Sequence, residues 1–186
     1  PAPTWVPGRD AKVDGSTTTR DCTDSALQLS PATALKSVST ATNHPLDTSE
    51  SFTASAWLKT DDLSTTSSSL GERTAVAMNA STGSAAFTLG YRKDPATGSV
   101  YWMATLADLS ARLRVENANP SAALVTSGRW THLAEVYDAA AGTASLYVDG
   151  RLLSTTATSV RPVRGTQLSL GAGTYATSSQ LTWNGA

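Results

Sequence analysis

Residues 130–150 read WTHLAEVYDAAAGTASLYVDG and contain the clearest strand pattern of the chain. Apolar and polar residues alternate through 130–138 and again through 143–148, as expected when successive side chains point to opposite faces of a sheet. Asp149-Gly150 follows the second run and precedes a third short one. An Asp-Gly pair in this position predicts a two-residue hairpin, because a type I′ turn needs positive φ at both central residues.

The same alternation extends to both sides of this stretch. Further strands are predicted at 26–29, 51–60, 73–78, 85–92, 99–107, 112–116 and 166–171. No segment shows a convincing helical stripe, and many short strands separated by turns are typical of a sandwich. We therefore predict an all-β fold of two antiparallel sheets. The alternation places these side chains inside it: Phe52, Ala54, Ala56, Leu58, Trp102, Leu146 and Val148.

The 186 residues are enough for one domain with a sizeable core. Residues 1–24 are polar and rich in turn formers, so we predict an irregular lead-in with Trp5 and Val6 buried, followed by the sandwich at 25–186. The chain begins Pro1-Ala2-Pro3-Thr4, which indicates a piece of a larger protein.

Charge and composition exclude some classes of partner. The net charge of −1 leaves no electrostatic footprint for nucleic acid or an anionic membrane. The apolar runs fall short of the roughly 20 residues that cross a bilayer, so membrane insertion is not expected. The abundance of Ser, Thr, Ala and Gly beside few Lys favours a secreted bacterial protein.

Two stretches resemble a known family. They are Ser51–Lys59 and the run Trp130–Asp138 with Gly142 and Leu146–Gly150. Both are similar to the laminin-G-like, or concanavalin A-like, jelly-roll domains of large secreted actinobacterial proteins, and Trp5–Arg9 resembles the segment before their second strand. The resemblance implies a two-sheet jelly roll. Its members bind carbohydrate or protein, form adhesive repeats or accompany hydrolases and toxins, and some bind calcium.

The chain departs from that family at both ends. The usual opening strand before Trp5 and the usual closing strand after Trp183 are not recognisable. We therefore expect a jelly roll that lacks its first and last strands, whose open edge is completed by another chain or segment. In the alternative, residues 1–24 and 180–185 fold back and close the edges themselves.

Catalytic residues are not apparent. Related jelly-roll glycanases place two acidic residues at i and i+2 on one strand, and no predicted strand here has such a pair. Glu135 and Asp138 are three apart and face opposite ways, while Glu116 neighbours only arginines. His132 is interpreted as a packed, hydrogen-bonded histidine. We therefore predict that the chain is not an enzyme.

Candidate ligand contacts are the aromatic residues that alternation places on polar strand faces, namely Trp57, Tyr101 and Tyr147. An aromatic ring offers apolar contact to a pyranose, and nearby polar groups orient it. Trp102 and Trp130 are assigned to the core. Asp108, Asn117 and Asn119 flank one predicted strand and are the calcium candidates, the one cofactor considered. Asp138 and Asp149 are interpreted as turn residues.

The function predicted from these features is a non-catalytic extracellular binding module that recognises a glycan or a cell-surface protein. The alternative is a structural spacer or adhesive repeat of a secreted protein or toxin, without a small ligand and completed by strands from another chain.

Overall fold

The computed structural model describes residues 4–9, 24–29, 38–39, 46–63, 71–80, 83–116, 124–175, 179–180 and 182–186. The calcium candidates Asn117 and Asn119 lie outside these residues. All regular structure within the described ranges is β-strand, as the sequence predicts. None of these residues forms a helix of the length and apolarity required to span a bilayer.

The described residues form fourteen strands. They are β1 (Thr4–Pro7), β2 (Ser25–Gln28), β3 (Val38–Ser39), β4 (Phe52–Leu58), β5 (Glu72–Asn79), β6 (Ala85–Lys93), β7 (Val100–Ala107), β8 (Arg112–Glu116), β9 (Thr131–Asp138), β10 (Thr143–Val148), β11 (Arg151–Ala157), β12 (Gln167–Leu170), β13 (Thr174–Tyr175) and β14 (Ser179–Gln180).

Two main sheets pack face to face. One has four strands in the order β11-β10-β9-β4, and the other has six in the order β3-β12-β5-β6-β7-β8. Every neighbouring pair is antiparallel. The two short pairs β1-β2 and β13-β14 lie outside the main sheets. This is the antiparallel two-sheet sandwich predicted from the alternation, in the jelly-roll-like form that the family resemblance implies.

The core lies between the two sheets and confirms the predicted inner face. Phe52, Leu58, Trp102 and Leu146 are buried. The other three predicted core residues, Ala54, Ala56 and Val148, are partly buried and pack against the same cluster. Strand β9 alternates between buried positions and half-buried or exposed ones, because only one of its faces meets the other sheet.

The six-stranded sheet is buried on both faces along much of β5, β6 and β7. Its outer face carries polar side chains that bond to one another, such as Thr88 and Thr105, whose hydroxyl oxygens are 2.7 Å apart across β6 and β7. Buried polar groups are tolerated when they are hydrogen-bonded in this way.

The predicted hairpin is present. Asp149 has φ of 49° and Gly150 has φ of 76°, and Val148 pairs with Arg151 on either side of them. Both central residues thus adopt the positive φ of the type I′ turn, which Asp and Gly tolerate at low cost.

The described part of the lead-in, residues 4–9 and 24, differs from the expectation of an irregular segment. Residues 4–7 form β1, which pairs antiparallel with β2. Trp5, predicted to be buried, is 62% exposed, because β1 and β2 form a separate two-stranded ribbon.

The other end of the chain meets both this ribbon and the four-stranded sheet. The backbone of Gly185 exchanges two hydrogen bonds with Leu29, and that of Ala186 exchanges two with Lys59. The tail therefore closes part of the open edge, as the fold-back alternative expects. In the described part of the chain, strand β4 itself has β9 as its one strand partner.

Candidate functional site

Trp57 lies on the outer face of the four-stranded sheet. Its neighbours Ala56 and Leu58 pack against the core, so alternation along β4 turns the indole away from it. The side chain is 43% exposed, although it is large and apolar. Trp57 therefore lies on the outer face that alternation predicts, and its role as a ligand contact stays a prediction.

Two further aromatic rings lie beside Trp57. His132 is its cross-strand partner on β9, and the two ring centroids are 5.2 Å apart. Trp130 lies two residues before His132, so the two side chains point to the same face of the sheet. The Lys59 ammonium lies 5.4 Å from the centroid of the Trp130 ring. Trp130 was assigned to the core, but it is only half-buried because it lies on the outer side of the sheet.

A charged pair forms the other side of this aromatic group. Arg129 donates from Nη2 to Oδ2 of Asp149 at 2.8 Å, and the backbone N–H of His132 donates to Oδ1 at 3.0 Å. The backbone N–H of Asp149 in turn donates to the carbonyl of His132 at 2.8 Å. Asp149 thus fixes the hairpin turn against β9 and holds Arg129 beside the aromatic rings.

These residues line a shallow, open recess of about 450 Å³. It is lined by Trp57, Arg129, Trp130, His132, Asp149 and Gly150. We call it the indole recess. Apolar rings and a charged hydrogen-bonding pair converge on one concave surface, which is the usual composition of a small-ligand site.

The N-terminal ribbon also reaches Trp57. The Arg9 guanidinium carbon lies 4.1 Å from the centroid of the Trp57 ring. A cation over an indole face is attracted by the ring quadrupole. The segment at residues 5–9 is therefore held over the sheet that carries the indole recess.

The three predicted ligand contacts do not form one cluster. Tyr147 lies on the outer face of the four-stranded sheet, as Trp57 does. It pairs with Ala134 on β9, and Ala134 shares a face with His132 because the two are two residues apart. Tyr101 lies on the six-stranded sheet, where it pairs with Arg92. Trp57 lies in the indole recess, Tyr147 flanks it, and Tyr101 belongs to a different surface.

Five recess residues were not predicted as ligand contacts: Arg129, Trp130, His132, Asp149 and Gly150. The sequence shows that Trp130 and His132 are two residues apart, so their side chains share one face of the strand. Their position beside Trp57 depends on the register of β4 against β9, which the alternation of each strand alone does not define.

A charged cluster occupies the outer face of the six-stranded sheet near Tyr101. The Glu72 carboxylate is fully buried and accepts hydrogen bonds from Arg112 at 2.6 and 2.9 Å and from Arg114 at 3.1 and 3.2 Å. Arg92 makes a bidentate contact to Glu116 at 3.0 and 3.1 Å. Hydrogen bonding to Glu116 raises the pKa of Arg92.

We expect Glu72→Gln to lower the unfolding free energy by about 2 kcal/mol, because it leaves two arginines facing a neutral amide. The figure is below the roughly 3–5 kcal/mol of a fully buried pair, since Arg114 remains about one-third exposed. Urea unfolding measures it, with Glu50→Gln at an exposed position as the control. A change below about 0.5 kcal/mol would show that the cluster contributes little to stability.

The calcium candidate Asp108 is engaged in a turn. Its Oδ1 accepts hydrogen bonds from the Ser110 N–H at 2.7 Å, the Ser110 hydroxyl at 2.9 Å and the Ala111 N–H at 2.6 Å. These bonds, the Ser110 N–H first, lower the pKa of Asp108. Among the described residues, no three acidic, histidine or cysteine side chains are grouped as metal ligands.

The acidic residues of β9 lie on opposite faces, as their spacing predicts. Glu135 is buried in the core and Asp138 is exposed. Both oxygens of Glu135 lack a hydrogen-bond partner, and burial raises the pKa of this carboxyl well above its usual range. Glu135 is therefore separated from solvent and from the indole recess on the other face.

Comparison with known proteins identifies one family. Residues 34–186 match the sequence profile of Laminin_G_3, described as the concanavalin A-like lectin/glucanases superfamily. No curated protein sequence is similar enough to count as a match.

Several solved structures share the fold at low identity. The heptameric SAP-like pentraxin from Limulus polyphemus is 13% identical with a TM-score of 0.60, over 85% of this chain and 70% of that one. Domain 4 of the extracellular arabinanase AbnA from Geobacillus stearothermophilus, in complex with arabinotriose, is 13% identical with a TM-score of 0.60, over 100% and 71%.

The enzymatically active domain of tailspike protein 2 from bacteriophage CBA120 is 14% identical with a TM-score of 0.63, over 100% of this chain and 26% of that one. Such low identities establish a common architecture and leave the ligand to be argued from the site.

Proposed function

The chain belongs to the concanavalin A-like lectin/glucanases superfamily, and we propose that it is a non-catalytic binding module that recognises a glycan outside the cell. The observation that carries this proposal is the indole recess, where Trp57 and Trp130 lie beside the Arg129–Asp149 pair. The arabinotriose complex of a protein with the same fold supports it by analogy.

The recess suits a sugar for a chemical reason. A pyranose has apolar C–H faces that pack on aromatic rings, and hydroxyl groups at its rim that need hydrogen-bonding partners. Trp57 and Trp130 supply the aromatic surface. Arg129 supplies guanidinium donors, and the Asp149 carboxylate supplies acceptors.

Pre-organisation adds to this argument. The position of Asp149 is held by the hairpin turn and by two hydrogen bonds to the His132 backbone, one from the Asp149 N–H and one to its carboxylate. A recess that is already ordered loses less conformational entropy when a ligand binds. The Arg129–Asp149 pair is thus available without rearrangement of the backbone.

The described acidic residues support binding rather than hydrolysis. Glu72 and Glu116 each accept bidentate arginine contacts, and Glu135 is isolated in the core. A retaining glycosidase needs two carboxyl groups about 5–5.5 Å apart at a substrate cleft, with one of them able to donate a proton. Glu72 and Glu116 are held by arginines on the other sheet, and none of the three carboxylates lines the indole recess.

The proposal is tested first with a glycan array and then by calorimetry with the best ligand. We expect Trp57→Ala and Trp130→Ala each to weaken binding about tenfold or more, because each removes an aromatic surface of the recess. Tyr147→Ala, at the flank, is expected to have a smaller effect.

Tyr101→Ala is the matched control, since it removes an aromatic ring from the other sheet. If binding depended on Tyr101 and survived both tryptophan substitutions, the site would lie on the six-stranded sheet and the proposal would be wrong. If no glycan bound at all, the spacer interpretation would replace it.

A further inference from the structure

The outer face of the four-stranded sheet extends well beyond the indole recess. The register of the strands arranges its side chains in rows that cross β4, β9 and β10, and Trp57 and His132 form the row at the recess. The next two rows hold the residues that pair across the three strands: Ser55, Ala134 and Tyr147, then Thr53, Val136 and Ser145. All six side chains are half-buried or exposed, so this face is open to solvent.

Strand β9 forms the floor of these rows. Its outward residues become shorter after His132, since Ala134 and Val136 follow it on the same face. Hydroxyl-bearing side chains line both sides of this floor, Ser55 and Thr53 on β4 and Tyr147 and Ser145 on β10. We call these six residues the β9 track. Its floor is apolar, its sides carry hydrogen-bonding groups, and its first row adjoins the recess.

Charged side chains lie only at the two ends of the β9 track. The Arg129–Asp149 pair lies at the recess end, and Asp138 is exposed at the other. Between these ends, the outward residues of β4, β9 and β10 include no Lys, Arg, Asp or Glu, and all of them are described. An acidic polysaccharide or a charged protein surface is bound through complementary charges. The composition of the track therefore favours an uncharged ligand.

We propose that a linear, uncharged polysaccharide binds along the β9 track, with one unit in the indole recess and the following units over Ala134 and Val136. This proposal rests on the proposed function and adds the class of glycan and its direction on the sheet. At about 3.4 Å per residue, His132 and Val136 lie about 14 Å apart along the strand, which is more than one sugar ring covers. The C–H faces of the units would pack on the floor, and their hydroxyl groups would bond to the sides.

The position of the track in the sheet supports this assignment. Strands β9 and β10 are both central strands of the four-stranded sheet, so each is paired along both of its edges. The track is therefore formed by side chains on a backbone that is already fixed. A pre-ordered surface loses little conformational entropy when a ligand binds.

Chain length provides the first test. Calorimetry of the native chain uses cello-, xylo-, manno- and arabino-oligosaccharides of two to six units. In a series that binds, we expect the hexasaccharide to bind about tenfold or more tightly than the disaccharide, because only the longer ligand reaches the track. Oligogalacturonides of the same lengths carry a carboxylate on each unit and should bind more weakly than the neutral series. Tighter binding of the oligogalacturonides would overturn the proposal.

A substitution in the floor tests the path of the ligand. Ala134→Leu raises the floor next to His132, so the ratio of hexasaccharide to disaccharide affinity should fall to within about twofold of one. Disaccharide binding that is still measurable shows that this variant is folded. Leu152→Ala is the matched control, because Leu152 is 57% exposed and pairs with Tyr147 from β11, outside the track. A ratio that fell in Leu152→Ala would show a path across the strands, against the proposal.

Failure of this proposal and failure of the proposed function give different results. Binding that did not depend on chain length, or a native ratio in Ala134→Leu, would overturn the β9 track and leave the indole recess in place. If no glycan bound at all, both proposals would be wrong. Sedimentation of the ligand-free chain tests a different occupant: a dimer that Ala134→Leu abolished would mean that this face binds a second copy, against the proposal.

Discussion

Replacing Glu135 by methionine is expected to raise the unfolding free energy by about 1–3 kcal/mol at pH 8, because it removes a buried polar group that has no partner. Glu135 is fully buried on the inner face of β9. Its cross-strand neighbours are Ala54 and Leu146, and neither carboxyl oxygen accepts or donates a hydrogen bond.

The expected effect depends on pH with a defined sign. Burial raises the pKa of the Glu135 carboxyl in the folded state, so the folded protein binds this proton more tightly than the unfolded chain. The carboxyl is least harmful to folding below its unfolded pKa of about 4.3. As the pH rises from there toward the folded pKa, it lowers the unfolding free energy by up to about 1.4 kcal/mol per pH unit.

Urea unfolding of the native chain, Glu135→Met and Glu135→Gln between pH 4 and pH 9 measures this dependence. Both variants are expected to lose the contribution of Glu135 to the change of unfolding free energy with pH. Glu135→Met should be the more stable variant, because the amide of Glu135→Gln remains buried without a partner. Glu50→Gln, at an exposed position, should keep the native slope. A destabilised Glu135→Met at pH 8 would mean that the carboxylate has a partner in solution.

Replacing Trp183 by alanine is expected to lower the unfolding free energy by about 3–5 kcal/mol, the usual loss for a large buried aromatic residue. Trp183 is 1% exposed. Its ring packs edge-on against Tyr91 with centroids 5.4 Å apart and stacks with Trp102 at 6.4 Å. Its backbone N–H also donates to Gly171, so the tail is part of the core.

Thermal unfolding monitored by near-ultraviolet circular dichroism measures this loss. Trp183→Phe should recover about half of it, since a smaller ring still fills part of the site. Leu109→Ala is the control, because Leu109 is 79% exposed. A loss below about 1 kcal/mol in Trp183→Ala would show that the tail detaches at little cost and that the core closes without it.

Local sequence predicted most of the sheet elements. The Asp149-Gly150 pair defined its hairpin because two adjacent residues alone determine whether a type I′ turn is accessible. The strands at 52–58, 85–93 and 100–107 were predicted closely because alternation is a property of each strand by itself. The two-residue strands β3, β13 and β14 have too few residues to show a period, and β1 was hidden by its Pro and Gly neighbours.

The candidate site was predicted only in part. The sequence showed that Trp57 lies on a polar strand face, and the fold places it there. Tyr101 satisfied the same rule and lies on the other sheet. Trp130 lies on the same strand face as His132, but its large apolar side chain favoured an assignment to the core. Alternation separates the two faces of one strand and contains no information about which strand lies beside it.

The sequence by itself therefore determined the class of fold, the turn at Asp149-Gly150, and the division of each strand into an inner and an outer face. Tertiary structure alone decided that Trp57, Trp130 and Arg129 line one recess and that Glu135 faces the core without a hydrogen-bond partner. It also decided that the backbones of Gly185 and Ala186 bond to those of Leu29 and Lys59. The physical reason is the separation along the chain over which each effect acts. Turns and alternation follow from backbone geometry over a few residues, whereas strand order and register come from burying apolar surface between segments distant in the chain.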